Sequence, residues 1–97
     1  MLYIANAFSL GMIAPEHLHR VRMEPTVRPC LGITQSWQSC IGHADTAAIL
    51  GVPMARITVR MAPGDTMYVA QLFGGRLPEG CTTLPPGARF DWAKVTL

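Results

Sequence analysis

Glycine and proline punctuate this chain at short intervals, and the fold class follows from what stands between them. Pro25, Pro29, Gly51, Pro53, Pro63-Gly64, Gly74-Gly75 and the run Pro78, Gly80, Pro85, Pro86 and Gly87 each close a stretch of patterned sequence. Several of these stretches alternate apolar with polar residues, the period of a half-buried strand. Leu2 to Ala7 reads as an opening strand that leaves its sheet through Asn6-Ala7-Phe8-Ser9. His19, Val21 and Met23 alternate with Arg20, Arg22 and Glu24, predicting a second strand stopped by Pro25. Arg56 to Met61 and Thr66 to Phe73 are joined by Ala62-Pro63-Gly64-Asp65, which predicts a β-hairpin. Phe90 to Leu97 gives a last strand. Ala44 to Leu50 is helical in character, with Gly51 as its stop and Pro53 forbidding continuation. Residues 30 to 38, carrying Leu31, Ile33 and Trp37, fit a short helix. The expectation is an α/β (α+β) domain spanning residues 1–97, with a mixed sheet of about five strands and one or two flanking helices.

With 97 residues, 49% of them hydrophobic and 14% charged, the chain is globular and has room for one core. A domain of this size leaves much of its apolar surface uncovered, so a homodimer is expected. The formal charge is +2, and seven of the eight basic residues are arginine, whose planar fork suits phosphate. There is no long basic run, so no duplex nucleic acid is expected as a partner. Cys30, Cys40 and Cys81 are odd in number and lack C-x-x-C spacing. They read as small buried hydrophobes in a reducing compartment, not as a disulfide framework or zinc site. The start, MLYIANAFSL, has no basic region and is too short for a membrane span, so a cytoplasmic protein is expected (host cytoplasm if viral).

Few residues can carry chemistry. His17 and His19, if in a strand, share a face, but no third metal ligand stands near them. His43 follows Gly42, which permits close approach of a ligand to the backbone, and precedes a helix start, where anionic groups are favoured. An anion held there favours the charged imidazole, the form that donates a proton. The plain alternative for His43 is a helix-capping role. In Gly74-Gly75-Arg76-Leu77-Pro78-Glu79-Gly80 the charged residues are Arg76 and Glu79, flanked by glycines that let a loop close over a phosphate. Taken alone, such a loop reads better as an ordinary solvated turn. The sequence has no P-loop, G-x-S-x-G or H-E-x-x-H motif. Six scattered acidic residues do not suggest a two-metal nuclease site.

Five motifs stand in order along nearly the whole chain: Tyr3-Ile4-Ala5-Asn6-Ala7-Phe8-Ser9, Ile41-Gly42-His43 with Thr46, Arg56, Tyr68-Val69-Ala70-Gln71, and Arg76-Leu77-Pro78-Glu79-Gly80. Together they resemble the viral type III anti-CRISPR ring nucleases. The resemblance implies a homodimer that binds cyclic tetra-adenylate, the second messenger of type III CRISPR defence, at its interface. It implies His43 as catalytic general acid, Arg76 and Glu79 as mobile-loop residues completing the site, and Asn6, Ser9, Arg56 and Gln71 as substrate contacts beside Gly42. Gly11 departs from the polar residue the family carries after the serine, and the Gly74-Gly75 stretch holds one residue more before Arg76.

The chemistry is coherent with that resemblance. RNA carries its own nucleophile, the ribose 2′-OH, so the protein need only align it, protonate the leaving 5′-oxygen and steady the phosphorane with an arginine. No metal or other cofactor is needed. Two further readings use the same residues differently: a protein that sequesters the cyclic nucleotide uncut, and a DNA-binding viral protein.

Overall fold

The computed structural model describes residues 1–30, 36–78 and 80–97; the short helix expected over 30–38 and the loop residue Glu79 fall wholly or partly outside the described residues. Five strands form one mixed sheet: β1 Leu2–Ala5, β2 Arg22–Thr26, β3 Gln38–Ser39, β4 Thr66–Phe73 and β5 Arg89–Thr96, in the order β2-β5-β4-β1-β3. Among the described residues, one α-helix, α1 Ala44–Leu50, follows β3, and two 3₁₀ segments, Leu10–Met12 and Pro15–Arg20, follow β1. The fold is α+β, as the sequence led one to expect.

β1 lies inside the sheet and pairs in parallel on both sides, with Ile4 opposite Ser39 of β3 and Tyr68 of β4. Its alternation feeds two cores. Ala5 joins Ile13, Val59, Met61, Met67, Val69 and Val95 on one face. Ile4 joins Ile41, Ala47, Leu50 and Ala70 on the other, where α1 lies. Ile4, Ile41, Met67 and Val95 are the largest fully buried side chains, each worth about 1.5–3 kcal/mol of burial.

Helix α1 starts and stops where its sequence dictates. Gly51 adopts φ 70°, and the amides of Gly51 and Val52 return to the carbonyls of Ala48 and Ala47, closing the C-terminus with a left-handed cap. Arg28 donates from Nη2 to the Leu50 carbonyl at 2.5 Å, placing a cation on the same helix end.

Three expectations are corrected. The segment 56–60 is not a strand; only Met61 makes an isolated parallel bridge, to Ile13. The alternation of Ile57, Val59 and Met61 buries Val59 and Met61 but leaves Ile57 47% exposed. The antiparallel partner of β4 is instead β5, paired from Thr66↔Thr96 to Phe73↔Arg89. The turn at 62–65 does form, with the Asp65 amide on the Ala62 carbonyl, but it leads from that bridge into β4. Second, His17 and His19 lie on the 3₁₀ segment, not in a strand, so their two-residue spacing does not put them on one face. β2 begins only at Arg22 and runs through Pro25, which an edge strand tolerates because it need not donate to a second neighbour. Third, the cysteines are all free but not all buried: Cys30 is exposed, and Cys40 and Cys81 are partly covered.

The long loop between β4 and β5 is pinched shut at its base. Gly74 has φ 85°, and a Cβ there would overlap the Gly87 carbonyl; Gly80 has φ 77° with open space around it. Gly74→Ala should therefore lower stability by more than Gly80→Ala, whose cost is the left-handed backbone alone, about 1–2 kcal/mol. Thermal unfolding of the two variants measures the difference, and equal melting temperatures would contradict the pinch.

Candidate functional site at the carboxyl edge of the parallel strands

Because β1, β3 and β4 run parallel, their carboxyl ends emerge at one edge of the sheet. In open sheets with parallel strands, ligands settle in the crevice beyond such ends. β1 delivers Asn6 there, β3 delivers Cys40-Ile41-Gly42-His43, and the second half of β4 carries Gln71.

His43 stands immediately before α1, with extended backbone (φ −113°, ψ 123°) and its carbonyl accepting the Ala47 amide at 3.0 Å. His43 thus holds the N-cap position through its backbone, while its side chain makes no capping hydrogen bond and is exposed. The imidazole is open to a ligand.

Arg56 is not the head of a hairpin, yet it reaches the same place. Its Nε donates to the Gly42 carbonyl at 2.9 Å, which fixes the guanidinium beside the His43 backbone. Gly42 lies close under Arg56: a Cβ on it would stand 3.2 Å from Arg56 Cγ, a tight contact. The loop bearing Gly42 is held from below by Ser39, whose hydroxyl donates to the Pro53 carbonyl and accepts from the Ile41 amide.

Asn6 and Gln71 border a second part of the edge. Together with Ala7, Phe8, Met23, Val69 and Ala93 they line a cavity of about 250 Å³. Phe8 and Met23 were not singled out by sequence reasoning. Phe8 sits inside the opening motif, but Met23 reaches the cavity through β2, a strand distant in sequence, and nothing local announces it.

The remaining expected residues are less closely gathered. Ser9 is exposed before the first 3₁₀ segment and makes no side-chain cap bond. Arg76 is exposed just past the Gly74-Gly75 pinch, and no hydrogen bond or ion pair joins it to His43 among the described residues. Glu79 lies outside the described residues. Among the described residues, no three His, Cys, Asp or Glu side chains cluster as metal ligands, and no helix is long and apolar enough to cross a membrane.

A small α+β domain whose polar side chains collect at the carboxyl edge of three parallel strands is the class that fold and site define. A family model matches residues 2–85, and the chain belongs to the STIV B116-like family. Among solved structures, B116 of Sulfolobus turreted icosahedral virus is similar, with 18% sequence identity, a TM-score of 0.71, and coverage of 99% of this chain and 98% of that one. That likeness extends the shared fold to a protein of an archaeal virus. A search of curated proteins returned no match.

The strand leading into the site also sets a chemical contrast. Burial pushes the Cys40 thiol up to about 11, so near pH 8 it is almost wholly protonated, whereas Cys30 is exposed. Thiol labelling of the native protein at pH 8 should modify Cys30 at least about tenfold faster than Cys40, and denaturant should erase the difference. Equal native rates would show that β3 does not seal Cys40.

Proposed function

We propose that the protein is a metal-independent ring nuclease that cuts cyclic tetra-adenylate into linear di-adenylates, thereby suppressing type III CRISPR defence. The observation that carries this reading is the meeting of Gly42, His43 and Arg56 at the edge where Asn6 and Gln71 also emerge. Residues taken from separate motifs of the resemblance thus reach the same edge of the sheet, the Gln71 cavity from the Val69 face and His43 from the face that carries α1. A histidine whose side chain makes no hydrogen bond among the described residues, next to a tethered arginine, is the minimal kit for cleaving RNA through its own 2′-OH.

In this mechanism the phosphodiester lies against Gly42 and the Arg56 guanidinium. The 2′-hydroxyl, giving up its proton to solvent water, attacks phosphorus in line and forms a 2′,3′-cyclic phosphate as the bond to the 5′-oxygen breaks. His43, in its protonated form, gives its proton to that leaving oxygen. Arg76, on its glycine-flanked loop, steadies the developing negative charge, and the resemblance assigns Glu79 to completing the site with it. Ser9 contributes a further substrate contact.

Two copies complete the site. Large apolar side chains stay exposed, among them Leu10 at 63%, Met23 at 56% and Val27 at 79%, which favours self-association. A homodimer about a two-fold axis meets the four-fold ring with two copies of each site, so two opposite linkages are cut.

Incubation with cyclic tetra-adenylate in EDTA should yield di-adenylates ending in 2′,3′-cyclic phosphate. His43→Ala should slow this by about 10²–10⁴-fold while retaining binding. Binding without turnover by the wild type would make the protein a sequestering one, and no binding would remove the reading altogether.

A further inference from the structure

The segment that follows α1 lies along the exit of β3 at a constant offset of 14 positions. The Ser39 hydroxyl donates to the Pro53 carbonyl, and the Ala55 amide donates to the Ile41 carbonyl at 3.0 Å. Arg56 Nε then donates to the Gly42 carbonyl at 2.9 Å. A constant offset is the register of two chains running parallel. No strand is assigned over 53–56, since two of these three bonds run through side chains.

Proline accounts for the irregularity. In a regular parallel ladder the residue-53 amide would donate to the Ser39 carbonyl, and the Ile41 amide to the residue-53 carbonyl. Pro53 has no amide hydrogen, so the first of these bonds cannot form. Gln38 takes its place, donating from Nε2 to the Ser39 carbonyl at 2.9 Å. The second bond is relayed. The Ile41 amide donates to Ser39 Oγ at 3.3 Å, and the same hydroxyl donates onward to the Pro53 carbonyl. Ser39 is only 4% exposed, so its hydroxyl is a buried one-atom spacer within the ladder. A hydroxyl can accept on one side and donate on the other, which a hydrocarbon side chain cannot.

The spacer bears on the arginine three positions along the same segment. Arg56 is tied to Gly42 through Nε alone, and its two terminal nitrogens make no hydrogen bond among the described residues. They are the part of the planar fork that pairs with an anion. We propose that Ser39 is a positioning residue, whose hydroxyl sets the distance between the β3 exit and segment 53–56 and thereby holds Arg56 on the Gly42 carbonyl. Without it, the Ile41 amide and Pro53 carbonyl either lose their partner or close directly on each other. Both outcomes move the segment, and with it Arg56. The inference rests on the ring-nuclease reading for the identity of the anion, whereas the link from Ser39 to Arg56 rests on the hydrogen bonds.

The first readout needs no ligand. In ¹⁵N-labelled protein the Arg56 Nε–H signal, identified by its loss in Arg56→Met, should exchange with water at least about tenfold faster in Ser39→Ala. Ser39→Cys, similar in size but a weaker donor, should give an intermediate rate and serves if the alanine variant does not fold. The second readout is affinity for cyclic tetra-adenylate, with His43→Ala present so that the ring is not consumed. Ser39→Ala should weaken binding about tenfold when Arg56 is present and add nothing in Arg56→Met, where no guanidinium is left to misplace. Equal weakening in both backgrounds would mark a merely structural serine and overturn the proposal. So would an Arg56 Nε–H signal that exchanges alike in the wild type and both Ser39 variants. If that signal responds as expected while the wild type binds no ring, the role of Ser39 stands and the nuclease reading falls.

Discussion

The structure depends on the parallel placement of β1 between β3 and β4. That strand is only Leu2–Ala5, yet it is paired on both edges and sends Ile4 into one core and Ala5 into the other, each 1% exposed. Truncating a side chain such as Ile4 would cost roughly 2–5 kcal/mol, a large share of what so small a domain can hold in reserve. The same pairing aligns the exits of three strands. Asn6, the loop to His43, and the end of β4 therefore share an edge as a consequence of packing.

From this frame the edge acquires two chemically distinct parts. One is basic and polar, where Arg56 is tied by its Nε to the Gly42 carbonyl beside an unspent histidine. The other is neutral, a cavity with carboxamides over an apolar base. The pinched loop carrying Arg76 springs from the end of β4, the strand that also bears Gln71.

Local signals were legible in the sequence and non-local ones were not. Helix α1 and its left-handed glycine stop were readable because both are set within a few residues, and β5 because it alternates cleanly. The hairpin over 56–73 was misread because the turn at 62–65 is genuine and the alternation before it is genuine. What the sequence conceals is that Met61 bridges to Ile13 and that β4 finds β5 across a fifteen-residue loop from Gly74 to Ala88. His17 and His19 were misplaced because Pro15 opens a 3₁₀ segment that delays the edge strand to Arg22. Of the site, His43, Gly42, Asn6 and Gln71 came from short motifs. Arg56 was right in place though wrong in secondary structure, because its side-chain bond to Gly42 spans 14 positions of sequence. Met23 had no local signal, since it meets the cavity only when β2 joins the sheet next to β5.

The most direct measurement is a chemical-shift map of the ¹⁵N-labelled protein titrated with cyclic tetra-adenylate in EDTA. The account predicts that the largest changes fall at Asn6, Gly42, His43, Arg56 and Gln71. The opposite edge, around Leu2, Gly64 and Thr66, should show little change. Shifts centred on that opposite edge, or none at the carboxyl ends of β1, β3 and β4, would contradict it.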